Sequence, residues 1–391
     1  MQSEYDLVIV GAGIVGSALA YDLSSSVDGK RIALIDRSIS SLNGSTGYAP
    51  GFVGQYNESE VLTQLAIESV KEYTKISGGF DVVGGLEVAT SREGVDRLRA
   101  RWESATKAGL AAELLGSDQA MNMAPELVKD DNQLALYFPG DGAANANRIT
   151  AFYREGARER GVQLIEADVT DIRQANGRVN GVTTTAGSIK AASVVVATGI
   201  WAPQLCKFDF PIPVVPVAHP YMYGKPHEPK IRKAPWVRWP EHHVYARDHG
   251  TYYGLGSYEH QPIPEEAKET AKGQWPAQFD ETLKQALQLV PEQTNLVPNE
   301  KFNGIFSMTP DNLPLVGSVP SVNGLYIAAA VWVTHAAGTA KFLKQLLTGQ
   351  QVDEGTRKAL DPTRFRGRDG ESLQQEALDG YNNIYKTQQN V

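Results

Sequence analysis

The sequence predicts an α/β fold made of two interleaved domains, and three observations predict it. Residues 6–36 (DLVIVGAGIVGSALAYDLSSSVDGKRIALID) carry a β-run, the pattern Gly11-x-Gly13-x-x-Gly16, a helical stretch, and a second β-run ending on Asp36. A β–α–β pattern, a β-meander and a buried strand recur between residues 147 and 199. From residue 211 to 258, Pro, Trp and Tyr become dense among strands with polar and aromatic faces. The first two describe a Rossmann-like dinucleotide-binding domain that the chain leaves and re-enters. The third describes an α+β domain on a mostly antiparallel sheet that can cover a ligand.

Gly11 permits a tight turn, Gly13 lets the backbone approach a pyrophosphate, and Gly16 lets helix and strand pack closely. Amides at the helix N-terminus face the phosphates. Asp36 lies 20 residues past Gly16, where an acceptor for a ribose 2′-hydroxyl is expected and a 2′-phosphate is repelled. A helix follows over 58–76, with Val61, Leu62, Leu65, Ala66 and Val70 on its buried face. Gly84-Gly85 break into a strand over 86–89, a helix covers 92–108, and Ser117 caps a shorter one. A helix over 147–160 leads to a strand over 162–167 and a three-stranded meander over 169–172, 179–184 and 188–191. A separate buried strand over 194–197 closes on Thr198-Gly199. Later come helical patterning over 280–289, a strand over 325–329, a loop over 331–335 and a helix over 336–347. This order predicts a nucleotide domain in three parts (1–83, 141–208 and 301–391 with a C-terminal tail) and a substrate domain in two (84–140 and 209–300).

Composition narrows the function. With 42% hydrophobic and 21% charged residues the chain reads as an ordinary globular protein, and a net charge of −8 without basic runs excludes a polyanion partner such as nucleic acid. The single Cys206 excludes an internal disulfide and a multi-cysteine metal site. The seven histidines show no metal-ligand spacing, and His242-His243 reads as a surface pair, so no metal is expected. No signal peptide and no apolar run long enough for a membrane span are evident, which predicts a cytoplasmic protein that meets no membrane.

Six segments carry a resemblance. They are Gly44-Ser45-Thr46-Gly47-Tyr48-Ala49-Pro50-Gly51, Gly84-Gly85-Leu86-Glu87-Val88, Val217-Ala218-His219, Tyr253-Gly254-Leu255-Gly256-Ser257-Tyr258, Phe302-Asn303-Gly304-Ile305-Phe306-Ser307-Met308-Thr309-Pro310-Asp311 and Val331-Trp332-Val333-Thr334-His335-Ala336-Ala337-Gly338. Together they resemble the flavin domain of dimethylglycine oxidase and dehydrogenase, within the D-amino-acid-oxidase type of flavoproteins, over nearly the whole chain. The resemblance implies FAD. It places Gly11, Gly13, Ile14, Val15, Gly16, Asp36 and Arg37 at the nucleotide, with Val169 at the adenine. Ser45, Thr46, Gly47, Tyr48, Phe52, Gly199, Trp201, Val331, Trp332, Val333, Thr334 and His335 fall around the rest of the flavin. The small, Gly-rich loop after Ser45 suits a backbone lying against an isoalloxazine, and the helix after His335 suits negative charge on the reduced ring. Members often have a flavin-linking histidine where this chain has Tyr48, which implies FAD held without a covalent bond. Members also usually continue into a folate-binding module, and none is expected here.

The resemblance implies oxidation of a secondary or tertiary N-methyl amine (dimethylglycine- or sarcosine-like) by hydride transfer to flavin. Hydrolysis of the imine then gives a demethylated amine and formaldehyde. His219 and Tyr245 match the active-site pair of the family and are the expected catalytic relay, since the amine must react unprotonated. Tyr258 lines the pocket, and Arg247, two residues past Tyr245 and on the same side of a strand, is the candidate for a substrate carboxylate. O2 or another acceptor reoxidises the flavin. The alternatives are an oxidase of a primary or cyclic amino acid, separated by ammonia or cyclic-imine release, and a flavin subunit of a larger amine-oxidising complex.

Overall fold

The computed structural model describes residues 4–230 and 233–384. Two large sheets organise it. In the first, parallel strands run in the order Leu325–Ala329, Gly187–Val196, Glu4–Val10, Ile32–Asp36 and Gln163–Glu166. Val8, Ile9, Leu34 and residues 194–196 are wholly buried, because helices on one face and antiparallel strands on the other leave no side of this sheet to water. Helices Ile14–Leu23, Ala146–Glu159 and Ala336–Leu347 cover the first face, while Val169–Ala175 and Arg178–Thr184 supply side chains to the second.

The second sheet takes the order Lys272–Gly273, Pro298–Met308, Val215–Gly224, Tyr253–Ser257, Val244–Asp248, Trp236–Trp239, Gly85–Ala89, Leu134–Phe138 and Glu113–Leu115. Neighbours are antiparallel except Trp236–Trp239 beside Gly85–Ala89. Phe52–Val53, Gly142–Ala144 and Phe80–Asp81 form a small third sheet between the two.

Three features differ from the sequence expectation. The third meander strand and the buried strand after it are one element, Gly187–Val196. Its first half pairs antiparallel with Arg178–Thr184, and its second half pairs parallel with Leu325–Ala329 on the same edge. The change of partner, not a break in the backbone, causes the change from alternating to continuous burial. Gly116, in extended conformation, caps the helix Ser117–Met123, and the Ser117 hydroxyl accepts from Asn132 instead. The C-terminal tail contains helices Glu354–Leu360 and Gly370–Asn382, and the second packs against the antiparallel sheet.

Helix Ala336–Leu347 crosses Glu60–Tyr73 at a contact only glycine permits. A Cβ on Gly338 would lie 2.3 Å from the Leu65 carbonyl oxygen, and the Gly338 amide donates to Ser69 Oγ at 2.9 Å. Gly to Ala inside a helix ordinarily stabilises by about 1 kcal/mol. Here Gly338→Ala is expected to destabilise by about 1–3 kcal/mol through overpacking. Thermal unfolding checks the sign, and a raised midpoint would refute the close crossing.

Candidate active site

A cavity of about 770 Å³ runs from the opening Gly turn to the antiparallel sheet. Gly11, Gly13, Ile14, Val15, Asp36 and Arg37 line one end, with Val169, Gly199 and Trp201 beside them. Ser45, Thr46, Tyr48 and Phe52 form one middle wall, and residues 331–335 form the other. His219, Tyr245 and Tyr258 line the far end. Gly16 and Gly47 do not line it but shape its walls. Their Cβ atoms would lie 1.9 Å from the Gly11 oxygen and 2.1 Å from the Leu42 oxygen.

The first end is built to meet negative charge. Helix Ile14–Leu23 begins at Gly13 with no side-chain cap, so its first amides face the cavity, and the Ile14 amide donates to Thr46 Oγ1 at 3.3 Å. The Asp36 carboxylate accepts from the amides of Ala12 at 2.7 Å and Ser38 at 3.0 Å, which fixes it at the cavity edge. Arg154, not singled out from the sequence, also lines this end and donates to the carbonyls of Ala12 (2.8 Å) and Ile39 (2.5 Å). Burial lowers the pKa of its guanidinium, and nearby Asp36 opposes that shift. The Arg37 guanidinium lies 4.3 Å from the centroid of the Trp201 ring.

The middle walls are held from behind. Ala330 adopts φ +56°, a conformation costly for a residue with a Cβ, and it turns the chain into the loop over 331–335. Trp332 Nε1 donates to the Ser307 carbonyl at 3.1 Å, and the Tyr73 hydroxyl donates to the Val333 carbonyl at 2.6 Å. His335 is buried at the start of helix Ala336–Leu347, and burial pushes its pKa down to about 3.

At the far end, strand register brings the reacting side chains together. Tyr245 and Tyr221 both lie opposite Gly256 on the strand between them. A Cβ on Gly256 would lie 2.5 Å from the Tyr245 hydroxyl, so this glycine makes room for the ring. His219 lies two residues before Tyr221 and therefore on the same face, and its Nε2 meets Tyr245 Oη at 2.7 Å. Asn303 Oδ1 accepts from the His219 amide at 2.9 Å, and Tyr381 Oη meets His219 Nδ1 at 2.9 Å. The Tyr258 and Phe306 rings lie 4.8 and 5.1 Å from the imidazole. Burial, then the neighbouring His260, pushes the His219 pKa down to about 3, so it is neutral at physiological pH.

Arg247 shares the Tyr245 face but does not line the cavity. Its Nη1 donates to the Pro50 carbonyl at 2.6 Å, behind the loop. Arg238, directly across from Tyr245, does line it. It pairs with buried Glu87, which also meets Arg101 Nε at 2.9 Å, and Arg101 reaches Glu58. The sequence signal for Arg238 is its place between Trp236 and Trp239 in a strand whose neighbours point inward. Tyr381 was not singled out from the sequence; the signal that could have found it as a buried helix residue is the four-residue spacing of Leu373, Ala377 and Tyr381 behind the Asp369 cap. Among the described residues no group of three or more His, Cys, Asp or Glu is gathered as metal ligands would be, and no helix is long and apolar enough to cross a membrane.

Residues 6–346 match the family model described as FAD dependent oxidoreductase (DAO). Dimethylglycine dehydrogenase, mitochondrial, from Rattus norvegicus is 27% identical over 387 residues, covering 92% of this chain and 45% of that protein. The chain thus spans about half the length of the dimethylglycine dehydrogenases it matches. Glycine oxidase from Geobacillus kaustophilus is 27% identical over 356 residues, covering 84% of this chain and 88% of that one. The crystal structure of L-proline dehydrogenase from P. horikoshii superposes with a TM-score of 0.84 at 23% identity, covering 93% of this chain and 98% of that one. The cavity suits the cofactor of that family. It offers an uncapped helix start and a half-buried arginine at one end, a carboxylate at the edge, and a long aromatic-walled channel beyond.

Proposed function

This chain belongs to the FAD dependent oxidoreductase family, and from that premise we propose that it oxidises a secondary or tertiary N-methyl amine of the dimethylglycine or sarcosine type. The observation that carries the reading is the buried His219–Tyr245 pair, 2.7 Å apart, at the cavity end farthest from the nucleotide turn. FAD, when bound, accepts a hydride from the carbon next to the amine nitrogen. Everything else falls to the protein. Residues 11–16 and Asp36 would hold the nucleotide, and residues 45–52 and 331–335 would flank the ring system. Tyr48 lies on that wall and supports FAD held without a covalent bond; acid precipitation should leave the flavin in the supernatant.

An ammonium has no lone pair to support the developing iminium, so the substrate must lose a proton first. Neutral His219 is the group that takes it, through the Tyr245 hydroxyl. Tyr258, Phe306 and Trp332 exclude water from the reacting carbon until the imine is released. The imine then hydrolyses to the demethylated amine and formaldehyde. Arg238, across from Tyr245, is the cavity-lining cation nearest in register for a substrate carboxylate.

Anaerobic titration with N,N-dimethylglycine and N-methylglycine should bleach the flavin, and air should restore its colour with formaldehyde released. Tyr245→Phe keeps the ring and should lower kcat/KM by roughly 10²–10⁴-fold. Bleaching only by glycine, primary amino acids or proline would move the assignment to an amino-acid oxidase, and activity only in a cell lysate would indicate a subunit of a larger complex.

A further inference from the structure

The hydrogen bonds at His219 continue away from the cavity. Tyr381, wholly buried on helix Gly370–Asn382, meets His219 Nδ1 at 2.9 Å and His260 Nε2 at 3.1 Å. His260 is half-buried, and its Nδ1 meets the Gln261 carbonyl oxygen at 2.9 Å. Asn382 Nδ2 donates to the carbonyls of Tyr258 (2.6 Å) and His260 (2.9 Å), which fastens the helix end over this row.

A carbonyl oxygen only accepts, and that fixes every proton in the row. His260 must carry its proton on Nδ1, so its Nε2 is an acceptor and Tyr381 donates to it. The Tyr381 oxygen then accepts from His219 Nδ1–H. His219 Nε2 is left as the acceptor for the Tyr245 hydroxyl. Every donor in the chain Tyr245, His219, Tyr381, His260 points from the cavity toward the surface.

We infer that these four side chains form a proton exit, set in its resting state to carry the substrate's ammonium proton outward to His260. The inference rests on the amine-oxidation reading above. One proton passes from substrate nitrogen to Tyr245 Oη as the Tyr245 proton moves to His219 Nε2. The His219 Nδ1 proton moves to Tyr381, and the Tyr381 proton moves to His260 Nε2. His260 then holds two protons and gives one to water, so one proton enters and one leaves with no bond to carbon changed. Each donor in the row then faces the cavity, and turns of the rings and hydroxyls restore the starting arrangement before the next turnover. The buried imidazole therefore needs no stable charge of its own. Burial also lowers the His260 pKa, although Gln261 and Glu259 oppose it, so the proton is not retained there. Tyr381 and His260 act through His219 and touch no substrate.

The first test needs no substrate. In 15N-histidine-labelled holoprotein, His219 and His260 should both show the Nδ1–H tautomer, the minority form of free histidine in water. Tyr381→Phe, which keeps the ring, should abolish that preference at His219. An Nε2–H tautomer at either histidine overturns the inference. In the second test, holoenzyme is mixed anaerobically with N-methylglycine in weakly buffered pH indicator. Tyr381→Phe should slow proton appearance roughly tenfold or more. His260→Ala should do the same and be rescued by added imidazole, which a purely structural residue would not show. Unchanged proton appearance in both variants overturns the exit. If no N-methyl amine reduces the wild-type flavin, the functional reading fails on its own and the tautomers decide the exit.

Discussion

Gly13→Val is expected to give a folded protein that purifies without its yellow colour. Gly13 has φ −65° and ψ −174°, a conformation open to any residue, and its Cβ would meet only Thr46 Oγ1 at 3.3 Å. A side chain there costs the fold little. It projects, however, into the cavity at the uncapped helix start, where the pyrophosphate approaches the backbone. FAD affinity should fall roughly 100-fold, or about 3 kcal/mol. Gly11→Ala is a different lesion. Gly11 has φ +102°, and its Cβ would lie 2.4 Å from the Ala197 carbonyl oxygen, so strand and turn cannot both keep their places. That variant should lose thermal stability as well as colour. The ratio of flavin to protein absorbance after gel filtration, with a thermal melt of each apoprotein, separates the two. A yellow Gly13→Val protein would refute this placement of the phosphates.

The second large effect is acid lability above the range in which carboxylates titrate. Burial pushes His219 and His335 down to about 3, and burial with nearby Arg247 pushes His249 down to about 2. Unfolded histidines titrate near 6.5, so below that pH the unfolded chain binds protons that the folded chain refuses. Stability is therefore fully present above about pH 6.5 and falls as pH drops toward about 3. Asp141 works against this. Burial raises its pKa to about 7, so the folded chain keeps a proton that the unfolded chain loses above about pH 4. Between those limits unfolding takes up a net of about two protons, which lowers stability by roughly 3 kcal/mol per pH unit. Urea midpoints between pH 6.5 and 5 measure the slope. His249→Gln, which keeps a donor for its 3.1 Å contact with Tyr221, should reduce it by about one proton. A flat profile would mean that these histidines titrate normally.

What the sequence shows best is local chemistry. The Gly11 turn was legible because its glycines answer contacts within one strand–turn–helix unit. Helix limits were legible where caps and apolar spacing agree, as in Arg92–Lys107. Harder to read was anything set by distant pairing. Nothing local marks Gly187–Val196 as one strand, because its two halves are distinguished only by partners near residues 181 and 325. Arg247 has the right parity to join Tyr245, yet the strand carries it under Pro50, whose position depends on a contact across almost 200 residues. His219 was found through resemblance. Tyr381 and His260, which complete its surroundings, lie 162 and 41 residues beyond it and gave no local sign of meeting.

The place of Gly187–Val196 between Glu4–Val10 and Leu325–Ala329 also governs the order in which the molecule can assemble. A chain emerging from the ribosome displays Glu4–Val10 with only Ile32–Asp36 to pair with, long before its other neighbour, Gly187–Val196, exists. Loop-closure entropy must be met across almost half the protein before that pairing repays it, which makes folding slow. Until then the nascent protein carries unpaired apolar edges that invite association with other chains. The cavity wall over 331–335 is synthesised later still, so the cavity gains its full lining only after the nucleotide turn has long emerged.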